Sequence, residues 1–158
     1  MMVRMELSRI LIREMTDTQI IELTEVDGER CFPIVIGLPE AFAIERRLKG
    51  IEIPRPQTHD LLASVIRHLG GKLQKIEIHD LRDGTFYARL VVVQHGEEIE
   101  VDSRPSDALA IGVAEDVPIY VAEEVLDQTQ TDAALEFDNE LDGDEFDDAD
   151  DDDDFGSD

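Results

Sequence analysis

Within Asp102-Ser103-Arg104-Pro105-Ser106-Asp107 the chain gathers two carboxylates, two hydroxyls and a guanidinium. Carboxylates take hard cations such as Mg²⁺ or Mn²⁺, and a guanidinium clamps a phosphate through paired N–H groups. Arg55-Pro56-Gln57-Thr58-His59-Asp60 adds an imidazole, which can move a proton near neutral pH or ligate a metal. A further carboxylate, Glu40, opens Glu40-Ala41-Phe42-Ala43-Ile44. Each group also has a plainer use. Ser103 and Asp107 are the types that cap helices, and His59 could be a solvated residue in a first helical turn.

The elements that must position these groups follow from periodicity and turn chemistry. Glu98-Ile99-Glu100-Val101 alternates as a half-buried strand does, and Pro105 begins a helix over 105–114. Asp27-Gly28, Asp83-Gly84 and His95-Gly96 each divide two strand-like runs, the signature of hairpins. Helices are expected over 38–49, stopping at Gly50, and over 58–69, with Thr58 as N-cap and Gly70-Gly71 as the stop. Val3, Met5 and Leu7 imply an early strand, Pro118 to Val121 a late one, and 122–126 one helical turn at most. The order β-β-β-α-α-β-β-β-α-β argues an α+β domain, with three main helices on a largely antiparallel sheet. Glu40-Ala41-Phe42-Ala43-Ile44 also aligns with Asp107-Ala108-Leu109-Ala110-Ile111, each after a hairpin. That is a hint of two pseudo-equivalent halves in which Glu40 and Asp107 are counterparts.

Charge divides the chain. Residues 1–127 hold all 14 basic side chains and 24 of the acids, whereas 128–158 hold 15 acids and no base. The second segment contains the run Asp150 to Asp154 and reads as a disordered acidic tail behind a folded domain of 1–127. One stretch runs the other way. Arg46, Arg47, Lys49, Arg55, Arg67, Lys72 and Lys75 stand against only Glu52 and Asp60. It is the natural phosphate-binding surface in an acidic protein, and residues 138–154 could fold back on it in competition with phosphate. Cys31 cannot form an internal disulfide, and its apolar neighbours imply a buried thiol. Charges interrupt Met1 to Met15, and no apolar run is long enough for a bilayer, so a cytoplasmic location is the default expectation. Zinc-ligand spacings, a P-loop, a nucleophile elbow and a dinucleotide fingerprint are all missing from the sequence.

Taken in order, several segments together resemble the bifunctional nuclease (BFN) family. They are Pro33-Ile34-Val35-Ile36-Gly37 with Glu40 to Ile44, Arg55 to Leu61, and Gly84-Thr85-Phe86-Tyr87-Ala88. Asp102 to Ala108 and Pro118-Ile119-Tyr120-Val121 complete the set. The resemblance implies a compact, often self-associating α+β domain with nuclease activity on RNA and DNA. It places the family's polar signature on Glu40, Thr58, His59, Asp60, Asp102, Arg104, Ser106 and Asp107. Two departures stand out: the family commonly carries a basic residue near Ala114 and a glycine near Asp116.

Two functions are therefore weighed. The first is metal-assisted phosphodiester hydrolysis of RNA or DNA, with no organic cofactor. Glu40, Asp60, Asp102 and Asp107 would hold Mg²⁺ or Mn²⁺, His59 would transfer the proton and Arg104 would grip the phosphate, with Asp107 joining them in catalysis. The second is a non-enzymatic, homo-oligomeric binding or regulatory module whose polar signature is structural. All three helix starts must converge for the first to hold.

Overall fold

A computed structural model describes residues 1–142, with side chains to residue 136. Three strands, β1 (Met2–Leu11), β2 (Gln19–Glu25) and β3 (Cys31–Ile36), lead into helices α1 (Leu38–Leu48) and α2 (Thr58–His68). Three more follow, β4 (Gly71–Arg82), β5 (Thr85–Gln94) and β6 (Glu97–Ser103), then α3 (Pro105–Gly112) and a single 3₁₀ turn, Val113–Glu115. Strand β7 (Ile119–Ala122) and helix α4 (Glu123–Asp142) complete the order. The expected α+β class and largely antiparallel pairing are observed. The one exception is a parallel pairing of β4 with β7.

Strand order in the single sheet is β3-β2-β1-β7-β4-β5-β6. It explains the short internal match. From the centre outward, β1-β2-β3-α1 and β4-β5-β6-α3 repeat one arrangement, so α1 and α3 begin at opposite edges of the sheet. The sheet curls without closing, far enough for Phe32 of β3 to stack on Phe86 of β5 with ring centroids 5.5 Å apart. That curl carries the two helix starts toward each other.

Side-chain alternation makes one face of the sheet apolar. Met5, Ile119 and Ile76 lie in register across β1, β7 and β4, and all belong to the core beneath the helices. The other face carries a polar row, Arg4, Tyr120, Glu77, Arg89 and Asp102, across five strands. Helix α3 sits close over β4. A methyl group added at Gly112 would lie 2.8 Å from Ile76 Cδ1, which is why glycine occupies that position. The β4–β5 and β5–β6 hairpins turn on Asp83-Gly84 and His95-Gly96, all four residues at positive φ, as a two-residue type I′ loop requires.

Four expectations need correction. Cys31 is exposed, because β3 alternates Phe32, Ile34 and Ile36 inward and Cys31, Pro33 and Val35 outward. The N-cap of α2 is Gln57, not Thr58, and it forms a reciprocal capping box with Asp60. Ser103 and Asp107 do not cap α3; its N-cap is Arg104, with no side-chain cap. Finally, the helix after β7 is 20 residues long, so 128–142 are helical rather than part of a disordered tail. Val125, Leu126 and Thr129 are buried, while Arg30 reaches Glu123 at 2.8 Å and Asp127 at 3.3 Å. These contacts, which composition does not reveal, hold the acidic helix on the domain. The expected fold-back of 138–154 rests largely on the segment beyond Asp142, outside the described residues.

Candidate functional site

Glu40, Asp60 and Asp107 each occupy the third position of a helix, where a carboxylate is favoured by exposed N–H groups and the positive end of the helix dipole. What each then meets differs. Arg104 Nε donates to Asp107 Oδ2 at 2.8 Å, and its Nη2 donates to Glu40 Oε1 at 3.0 Å. His59 Nε2 lies 2.8 Å from Asp107 Oδ1. One chain of contacts, His59–Asp107–Arg104–Glu40, thus joins the starts of α2, α3 and α1. The expected convergence is met for these four residues.

Electrostatics fix the state of this chain. Burial alone would push the Asp107 carboxyl up, but the hydrogen bonds from Arg104 and His59 outweigh it and hold the group below its usual range. An ionised carboxylate only accepts, so His59 Nε2 is the donor in this contact, and Nδ1 is the ring nitrogen not engaged by Asp107. Arg104 is held more firmly protonated by Asp107 and Glu40. Two of the five N–H groups of its guanidinium are engaged, and its side chain is 65 % exposed, leaving the others turned to solvent. Arg104 is therefore an exposed clamp with open donors.

The contacts border a cleft of about 790 Å³ between α2, α3 and strands β5 and β6. Thr58, His59, Ser103, Arg104, Asp107 and Glu40 form its polar end, and Leu62, Ile66, Leu90, Val92, Val101 and Ile111 its apolar floor. The floor is what sequence reading misses, because apolar residues at helical or strand spacing read simply as core.

Several expected roles are not supported by the geometry. Asp60 faces away from Asp107: its oxygens accept from Arg46 at 2.7 Å and Arg47 at 2.6 Å, and from the backbone N–H of Gln57. Burial raises its pKa, but the two arginines and the amide outweigh that and hold it at about 2. Asp102 borders the cleft, yet it pairs in register with Arg89, so the pleat turns it to the opposite face from Val101 and Ser103. Glu40 and Asp107 are bridged by a guanidinium. Among the described residues no three His, Cys, Asp or Glu side chains converge as a bound ion requires. The ligand set expected for Mg²⁺ or Mn²⁺ does not fit this arrangement.

The basic stretch is likewise divided. Arg46 and Arg47 are spent on Asp60, and Arg47 also donates to the carbonyls of Ala110 and Ile111 at the end of α3. Their work is to tie α1 to α2 and α3, which positions the site. Lys49 pairs with Glu45, and Lys75 pairs with Glu77 on the polar face of the sheet. Among the described residues Arg55, Arg67 and Lys72 make no ion pair, and Arg67 and Lys72 border a smaller cleft with Glu115. Four of the seven bases are thus engaged in ion pairs. The missing family glycine has a local answer: Asp116 takes φ 51, a left-handed position that aspartate tolerates.

Comparison with known proteins places the chain in a family. The family model described as the bifunctional nuclease domain matches residues 21–134. The chain belongs to that family. It is 44 % identical over 119 residues to the uncharacterized protein Rv1829 of Mycobacterium tuberculosis (strain ATCC 25618 / H37Rv), covering 75 % of this chain and 71 % of the relative. Bifunctional nuclease 1 of Oryza sativa subsp. japonica is 27 % identical over 114 residues, 70 % of this chain but only 34 % of the rice protein. Bifunctional nuclease 2 of the same plant is 28 % identical over 100 residues, 61 % of this chain and 31 % of that protein. No helix among the described residues is long and apolar enough to cross a membrane.

Proposed function

We propose that this chain is a nuclease that hydrolyses phosphodiester bonds of RNA or DNA at the cleft bordered by His59, Asp107 and Arg104. The observation that carries the reading is the His59–Asp107 contact of 2.8 Å beside an arginine with open donors. Family membership supports the substrate class. Asp107 orients the imidazole and stabilises it once protonated, as the carboxylate of a histidine dyad does. His59 Nδ1 takes a proton from the attacking water, whose oxygen bonds to phosphorus while the bond to the leaving oxygen breaks. The leaving oxygen takes its proton from the imidazolium. Arg104 holds the nonbridging phosphate oxygens, where negative charge grows in the transition state.

His59→Gln in the purified full chain is expected to lower cleavage of single-stranded RNA or DNA by about 10²- to 10⁴-fold, the usual worth of a general base. An unchanged rate overturns the reading. Because the chemistry rests on side chains of this chain, cleavage is expected to persist in excess EDTA. Abolition by EDTA and recovery with Mg²⁺ or Mn²⁺ would instead restore the metal-assisted route.

The runner-up is binding without cleavage, favoured by the ion pairing of Glu40, Asp60 and Asp107. Stoichiometric oligonucleotide binding with no turnover identifies it. Self-association is compatible with both. Leu61, Leu62, Val65 and Leu69 of α2 and its C-cap are exposed beside Ile99 and Val101 of edge strand β6. Apolar faces of this kind are commonly interfaces. Leu61→Asp is expected to shift sedimentation toward monomer.

A further inference from the structure

Arg104 borders a second cleft, of about 520 Å³, on its other side. This one lies between edge strand β3, the turn at Gly84 and the start of α3. Phe86 offers a ring surface in it and Val35, 64 % exposed, an apolar one. Thr85, Asp17 and Ser106 supply polar groups. Ser106 is only 6 % exposed, and its hydroxyl makes no hydrogen bond among the described residues.

The two clefts share one guanidinium, and neither contains another arginine or a lysine. A phosphate therefore has one place to sit, and Asp17 on one side and Glu40 on the other repel its neighbours. The remaining lining suits bases and sugars: apolar surface for a π-face, hydroxyls and a carboxylate for exocyclic amino groups and ribose hydroxyls. Only a strand whose bases are unpaired can turn one nucleoside into each cleft.

Resting on the nuclease reading, the geometry points to a single-stranded oligonucleotide laid across Arg104. Its scissile phosphate rests on the guanidinium, one flanking nucleoside fills the cleft of His59 and the other fills the cleft of Val35 and Thr85. The second cleft is a nucleoside subsite, and the enzyme selects single strands over duplexes.

The test uses the full chain, its Val35→Trp and Thr85→Trp variants, fluorescein-labelled hexathymidylate and a labelled 12-base-pair duplex. Both variants lie outside the catalytic groups at exposed positions, and each puts an indole into the second cleft. Anisotropy is expected to show hexathymidylate bound about tenfold or more weaker by each, the scale of one lost base contact. Thermal melts of both variants are expected to match the unsubstituted chain and certify the fold, while hydrolysis of bis(p-nitrophenyl) phosphate by the unsubstituted chain reads the phosphodiesterase chemistry separately. The duplex is expected to bind the unsubstituted chain at least tenfold more weakly than hexathymidylate does. Unaltered affinity in both variants, equal binding of duplex and single strand, or no binding of hexathymidylate overturns the subsite. Loss of binding in the variants with no hydrolysis by any form upholds the subsite and sinks the nuclease reading.

Discussion

Gly37 and Arg104 stand at the same place, the residue before the first turn of α1 and of α3, each three positions before an acid. Their difference builds the site. Arg104 extends a guanidinium across to Glu40, while Gly37 leaves room for Glu40 to meet it: a methyl group there would lie 2.4 Å from Glu40 Oε2. Gly37→Ala carries no backbone strain, since φ is −77°. It is expected to push the Glu40 carboxylate off Arg104, change the KM for oligonucleotide a few-fold and shift stability by about 0.5 kcal/mol or less. Michaelis kinetics beside a thermal melt check both halves. The sequence displays Glu40, His59, Arg104 and Asp107 as a motif because chemistry-bearing types cluster near helix starts. It hides the role of Asp60, because its partners Arg46 and Arg47 lie on another helix, and nothing in residue spacing says which base turns inward.

At the level of elements, α2 is held by charge as much as by burial. Ala63 is its only residue classed as buried, and Asp60 anchors it to α1 through Arg46 and Arg47. The Asp60 carboxyl falls from its ordinary 3.8 to about 2 in the folded chain, so the unfolded state binds the proton more readily. The resulting stability is complete above about pH 4 and is lost as pH falls toward about 2, the carboxylate case. Asp60→Asn is expected to cost on the order of 1–2 kcal/mol at pH 7, discounted for partial exposure, and to flatten the stability curve between those limits. Urea melts across that range measure it. The hairpins and first three helices were legible because Asp-Gly, His-Gly and Gly-Gly punctuate them. Helix α4 was not, because its anchors are long-range. Leu126 is fully buried, and Leu126→Ala is expected to destabilise the domain by about 2–5 kcal/mol, read from denaturant midpoints.

For the whole molecule the question is how a chain of net charge −25 could engage a polyanion. Sequence order suggests a patch of seven bases, and were all seven to meet phosphates of a single strand, log K would fall against log salt with a slope of about −5. The fold engages four of the seven in ion pairs. Arg46 and Arg47 serve Asp60, Lys49 serves Glu45, and Lys75 lies with Glu77 on the far face of the sheet. Linear position could report the count of bases but not their partners, which depend on how three helices pack. With Arg104 as the one phosphate cation between the clefts, and at most one neighbour assisting, the slope for a single strand is expected near −0.7 to about −1.4. Titrating labelled hexathymidylate between low and physiological salt reads this directly. A slope steeper than about −3 would mean that Arg55, Arg67 and Lys72 act together with Arg104. The strand would then run past α2 rather than across the start of α3.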